Sequence, residues 1–317
     1  MDVIVDTLSF RANFDSFKKL EDFLGFYPGD WCPGERFNMN YLNSLYYEGI
    51  KIGYNGTAGW GYYIHMSGKG CRTFEDISGE NFTWFKFISK LYFKVRDGSA
   101  AITRIDLASD CFDDTLNLQR IESYIDKHKY LTRCPDKSIR LVKYGEECLY
   151  VGSPQSVTLL RIYNKKLERG YNPGDKEIEH WYRCELQLRD HHAQQVILEW
   201  GRAGYVGKIF AGHLIDHFQF LAKPNKRDGH QHLINPATWW ANFVGNVEKI
   251  EWASKMGSEY NMTKLQKYAI GNAGSSVKTM IKAKNLTPEQ LYDIYSDPGI
   301  KLREDQIAFI KSCRGEV

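Results

Sequence analysis

Apolar and polar positions alternate along Val3–Phe10, Gly61–Ser67, Ala101–Ser109, Val157–Tyr163 and Trp181–Leu188. A period of two sends successive side chains to opposite faces of a strand, so each run predicts a strand. Ser138–Tyr144 and Glu147–Gly152 read the same way. Between these runs the spacing becomes helical: Phe14–Phe23, Leu116–Lys127, His191–Trp200, and Asn81–Val95 with Phe82, Phe85, Ile88, Leu91 and Tyr92. The segment 223–232 is polar, with Pro224 and Gly229, and predicts a linker. Beyond it every signal is helical. Thr287 is placed to cap a helix with Pro288 in its first turn, and Leu302–Cys313 predicts a last helix. The expected organisation is a mixed α/β domain over 1–222 and a small all-helical domain over 233–317.

The strand faces matter most. In Thr103–Leu107, Thr103, Ile105 and Leu107 share one face, and Arg104 and Asp106 the other. In Tyr182–Arg189, Tyr182, Cys184, Leu186 and Leu188 oppose Arg183, Glu185, Gln187 and Arg189. Tyr63, His65 and Ser67 oppose Tyr62, Ile64 and Met66, while Leu159, Arg161 and Tyr163 oppose Thr158, Leu160 and Ile162. If these strands pair in one sheet, one face packs against helices. The other collects His65, Asp106, Glu185, Arg161, Arg183 and Tyr163. A single such strand is only the wet side of an antiparallel sheet; four that converge suggest a site.

Composition narrows the class. With 317 residues, 43% of them hydrophobic, the chain can fill a core, which excludes a disordered polymer. No window holds 18 uncharged apolar residues, and Met1–Asp6 lacks the basic start of a signal peptide, so a cytoplasmic, membrane-free protein is expected. The seven cysteines include no Cys-x-x-Cys pair, which argues against a zinc ribbon. Net charge is only +3, yet Lys255 to Lys284 holds six lysines against one acid, Glu259. That stretch, Thr263–Ala283 above all, is compatible with a helix-turn-helix whose Lys264, Lys267, Lys278 and Lys282 meet DNA phosphates. A solvated helical hairpin has the same pattern.

Two carboxylates and an imidazole, Asp106, Glu185 and His65, form a hard donor set that suits Mg²⁺ or Mn²⁺. A cation there could polarise a phosphodiester. The Tyr163 phenol, weak as a nucleophile at neutral pH, could then attack phosphorus to leave a phosphotyrosine ester. Arg161 and Arg183 could hold the non-bridging oxygens, with Lys165 and Lys166 in the same role or simply in solvent.

The runs Thr103–Asp110, Arg161–Glu168 and Trp181–Leu186 resemble those of rolling-circle replication initiators of Gram-positive plasmids and filamentous phages, the replication initiation factor family. Ser67-Gly68-Lys69-Gly70-Cys71 is similar to a segment of the phage-type members. The likeness spans roughly Asp6 to Arg189. It implies an α+β fold: a relaxase-like central antiparallel sheet with flanking helices, then a helical C-terminal domain. It also implies a strand-specific DNA nickase with Tyr163 as nucleophile and Asp106 and Glu185 as metal ligands. His65 stands where plasmid members carry Glu, and Gln187 where they carry a second Glu. The implied partners are origin DNA, as duplex or hairpin and as single strand. Arg104, Arg183 and Lys166 are further candidate DNA contacts. A host helicase and a second copy of the chain are the other implied partners. A conjugative relaxase would use the same chemistry. A DNA-binding regulator without catalysis would need only the 263–283 hairpin.

Overall fold

The computed structural model describes residues 2–27, 31–38, 40–79, 81–145, 147–170, 178–225, 234–248 and 274–296. The strands in chain order are β1 (Val3–Ala12), β2 (Cys32–Gly34), β3 (Tyr41–Tyr47), β4 (Ile50–Gly56), β5 (Tyr62–Met66), β6 (Ala100–Cys111), β7 (Tyr130–Thr132), β8 (Ile139–Val142), β9 (Cys148–Val151), β10 (Thr158–Asn164), β11 (Tyr182–Arg189) and β12 (Phe218–Phe220). Ten of these form one sheet in the order β2-β3-β4-β5-β1-β6-β11-β10-β9-β8, while β7 and β12 pair separately. Every ladder of the large sheet is antiparallel. The strands predicted to carry chemistry, β5, β6, β10 and β11, thus share that sheet, with β1 between β5 and β6.

One face of the sheet is apolar. Ile105, Leu107, Leu160, Ile162, Cys184, Leu186 and Leu188 are buried there. Helices α2 (Gly68–Ile77), α3 (Trp84–Arg96) and α6 (Asp190–Ala203) pack on β1, β6 and β11. Each buried Leu or Ile contributes about 1.5–3 kcal/mol of transfer free energy, which makes this face the main source of stability. The remaining helices before the linker are α1 (Phe17–Leu24), α4 (Leu118–Asp126), a short α5 (Lys165–Glu168) and α7 (Val206–His217). Local signals set several ends. The Ser16 and Thr83 side chains accept from the Lys19 and Lys86 amides to start α1 and α3, and Gly25 stops α1 in the left-handed conformation.

The Ser67-Gly68-Lys69-Gly70-Cys71 run has a structural explanation. Ser67 caps α2, and a Cβ at Gly70 would lie 2.2 Å from the Gly49 carbonyl oxygen. Only glycine lets the helix start approach the β3–β4 turn so closely.

Three expectations change. The β3–β4 hairpin and α7 were not predicted, because their polar aromatics and glycines blur both periods. Helix α8 (Thr238–Glu248) falls in the expected second domain, but Trp240, Phe243 and Val247 join the main core and Trp240 meets Phe218 and Phe220. The first compact unit accordingly runs to Met256, with the second over Gly257–Val317. In that second unit, α9 (Gly274–Lys284) and α10 (Pro288–Tyr295) are helices as predicted, and Thr287 and Gln290 form a reciprocal cap at α10. Lys264, Lys267, the first half of the proposed helix-turn-helix and Leu302–Cys313 lie outside the described residues. Among the described residues, no helix is long and apolar enough to cross a membrane.

Candidate active site

The antiparallel registers stack the polar face into rows. Leu159, Gln187 and Asp106 form one row across β10, β11 and β6. Arg161, Glu185 and Ala108 form the next, followed by Tyr163, Arg183 and Asp110. The pairing of Thr7 with Asp106 and of Ser9 with both Arg104 and His65 continues the face across β1 to β5. Asp106 and Glu185 therefore lie on the same side of the sheet as the Tyr163 hydroxyl.

Tyr163 is buried, but on this polar face and not in the apolar core. Its hydroxyl donates to Glu185 Oε2 at 3.0 Å and accepts from Lys165 Nζ at 3.4 Å. Arg161 and Lys165 flank its ring at 5.8 and 5.4 Å. Burial, and then the Glu185 charge, push its phenol far above the ordinary tyrosine value. In this state the phenol is a protonated donor, and Glu185 is the group placed to take its proton.

Each acid lies beneath a guanidinium. Arg104 forks onto Asp106, with Nε donating to Oδ1 at 2.8 Å. Arg161 pairs with Glu185 Oε1. Burial raises both carboxyls above the usual range. For Glu185 the Asp6 charge adds to the rise, Arg161 opposes it, and Asp106 adds again. For Asp106 the Arg104 hydrogen bond opposes the rise.

Arg183, expected among the DNA contacts, is instead an internal clamp. It is buried, donates from Nε and Nη2 to Asp110 at 2.7 Å, and from Nη1 to Asp6 at 2.7 Å. Neither Asp6 nor Asp110 was among the expected site residues. The register of β1 on β6 shifts between Val5 and Thr7. This bulge aims Asp6 at the polar face. A lone acid inside Val3–Phe10 was the available signal. Asp113, by contrast, caps the turn after β6, accepting from the Thr115 amide. A second shift, between Ser9 and Phe10, brings Thr103 off its expected apolar face to within 3.0 Å of the Tyr63 hydroxyl.

His65 sits two strands from Asp106, about 10 Å by strand spacing. Its Nδ1 is hydrogen-bonded to Ser9 Oγ at 2.8 Å. Burial and then Arg104 hold the imidazole below its ordinary value, so it is neutral at pH 7. Among the described residues no three His, Cys, Asp or Glu side chains converge into a metal-holding cluster. The predicted trio is thus a close pair of acids with an outlying histidine. Lys166 donates to the Ile178 carbonyl, whereas Lys278 and Lys282 are exposed one helical turn apart on α9.

Known proteins resemble this chain in sequence and in fold. The profile of the family described as replication initiation factor matches residues 100–294, which hold β6, β10 and β11. The chain belongs to the replication initiation factor family. A second profile, the N-terminal domain of rolling-circle replication initiation proteins, matches residues 3–90. A Bacillus subtilis (strain 168) protein named NicK, described as a candidate DNA relaxase, is 25% identical over 222 residues. That match covers 66% of this chain and 61% of NicK, so the chain spans about three fifths of that relative's length. The solved structure of a rolling-circle replication initiator from Geobacillus stearothermophilus superposes with a TM-score of 0.67 at 25% identity, covering 81% of this chain and 99% of the other.

Proposed function

We propose that this family member is a site-specific DNA nicking and strand-transfer enzyme that initiates rolling-circle replication through a 5′-phosphotyrosine at Tyr163. The observation that carries the reading is the Tyr163 hydroxyl held between Glu185 at 3.0 Å and Lys165 at 3.4 Å, on the face shared with Asp106.

In this reading Tyr163 Oη attacks a backbone phosphorus and its proton passes to Glu185 Oε2. The Oη–P bond forms as the P–O3′ bond breaks, and the departing 3′ oxygen takes a proton from solvent. Lys165 stabilises the developing phenolate, and Arg161 is placed to hold a non-bridging oxygen. The phosphotyrosine ester conserves the phosphodiester linkage, so attack by a 3′ hydroxyl reseals the strand. The free 3′ end primes synthesis.

The donor chemistry also suits a divalent cation. Two carboxylates, both raised by burial, lie on neighbouring strands of one face. Asp106 and Glu185 would hold Mg²⁺ or Mn²⁺, with His65 reachable only by rearrangement. When bound, the cation supplies Lewis-acid polarisation of the phosphate. Arg104 and Arg161 must yield part of their hold on the acids to admit it.

The test is Tyr163→Phe on single-stranded DNA carrying the cognate origin, with Mn²⁺ or Mg²⁺ present. Nicking and the denaturation-resistant protein–DNA adduct should both disappear while DNA binding persists. An adduct formed by the variant would refute the assignment.

A further inference from the structure

The polar rows do not stop at Tyr163. The Lys165 amide donates to the Trp181 carbonyl at 2.8 Å, and Tyr182 opposes Cys111, so the next row is Lys165, Trp181 and Phe112. This row lies about 7 Å from the Tyr163 row, two residues of strand rise and roughly one nucleotide of extended single strand. Its composition is unusual. Phe112 is 59% exposed on a face otherwise lined mainly by charged, amide and hydroxyl groups. Its ring lies 5.6 Å from Trp181, tilted by 33°. Trp181 is itself buried and carries the Arg169 guanidinium 4.9 Å from its ring centre.

The Phe112 ring rests on a buried indole that itself carries the Arg169 guanidinium, and the carbonyl of that tryptophan accepts from the Lys165 and Lys166 amides. A π-surface bordered by positive charge fits a nucleobase whose phosphates meet the cations. A peptide partner would gain less from that charge. We infer that Phe112, backed by Trp181, is the stacking platform for the base of a nucleotide next to the scissile phosphate. This inference rests on the proposed nicking reaction for the location of that phosphate. The platform makes Phe112 a positioning residue: it fixes which phosphate meets Tyr163, without touching the reacting atoms.

The experiment uses the full chain and an oligothymidine single strand with one 5-iodouracil. Binding is read by fluorescence anisotropy in Phe112→Ala, Phe112→Leu and Phe112→Trp, each checked for an unchanged melting temperature. Phe112→Ala should weaken single-strand binding about ten-fold. Phe112→Trp should restore it, and Phe112→Leu should not. The salt dependence should stay the same, because no ionic contact is lost. Irradiation should cross-link the iodouracil to the peptide containing Phe112. Wild-type affinity in Phe112→Ala, equal rescue by Leu and Trp, or cross-links only elsewhere would overturn the proposal. The nicking reading is scored separately by the Tyr163 adduct on origin DNA. Absence of that adduct from the wild-type protein, with stacking intact, rejects the reaction and keeps the platform. A wild-type adduct yield in Phe112→Ala, at the same nick position and at limiting DNA, rejects the platform and keeps the reaction.

Discussion

The two faces of the sheet are built from the same strands and obey different energetics. On one side, Leu107, Leu160 and Leu186 vanish under helices, and each buried methylene adds stability without direction. On the other, Asp106, Glu185 and Arg183 are just as buried, but every charge needs a counter-charge to be tolerated. Burying ion pairs costs about as much as it returns, so the polar face is a poor way to hold a sheet together. It is a good way to keep carboxylates, guanidiniums and a phenol in fixed register until a substrate arrives. Strand alternation therefore separates stability from chemistry by a single residue step.

The contrast can be broken or sharpened by substitution. The largest stability effect should come from Arg183→Met, which strands Asp110 as a buried charge and Asp6 as a half-buried one. A loss of about 3–5 kcal/mol in urea unfolding is expected, partly recovered by adding Asp110→Asn. A change typical of an exposed arginine would contradict the clamp. Next, Leu186→Ala, beside Glu185 but on the other face, should cost about 3 kcal/mol through lost packing. The nicking rate per folded molecule should stay close to wild type, and a specific loss of rate would show the faces to be coupled.

Smaller effects probe the polar face alone. Arg104→Gln should tighten Mn²⁺ binding, on the order of ten-fold by calorimetry, because Asp106 loses its competing cation. Weaker binding would mean that Arg104 supports the cation site. The pH dependence follows from Glu185. Its carboxyl is raised by burial, so the proton-accepting form is gained only as pH rises through that raised value. In the metal-free protein the Glu185 titration, followed by carboxyl NMR, should thus lie above the ordinary glutamate value of about 4.3. Glu185→Gln should remove that titration and, with the cation present, most of the nicking rate. The sign for stability is opposite: the folded, metal-free protein favours the protonated acid, so this contribution is lost as pH rises through the raised value. Smallest should be His65. Its lowered value means that its contribution is present above the ordinary imidazole value of about 6.5 and is lost as pH falls through the lowered one. Melting temperatures of His65→Gln measured from pH 7 to pH 5 should show a shallower acid slope than wild type.

Much of this was legible in the chain. The period of two in β6, β10 and β11 put Asp106, Glu185, Arg161 and Tyr163 on one face before any pairing was known, since alternation is a property of each strand alone. The helix cap at Thr287 is equally local. Other features depend on two segments meeting. The bulge that turns Asp6 to Arg183 is a mismatch between β1 and β6, and neither strand encodes it by itself. The burial of Arg183, the guanidiniums over both acids and the join of α8 to the first core arise from contacts between residues far apart in sequence. Local periodicity determined which side chains could share a face. Tertiary pairing decided which of them touch, because register, desolvation and charge balance exist only once separate strands lie side by side.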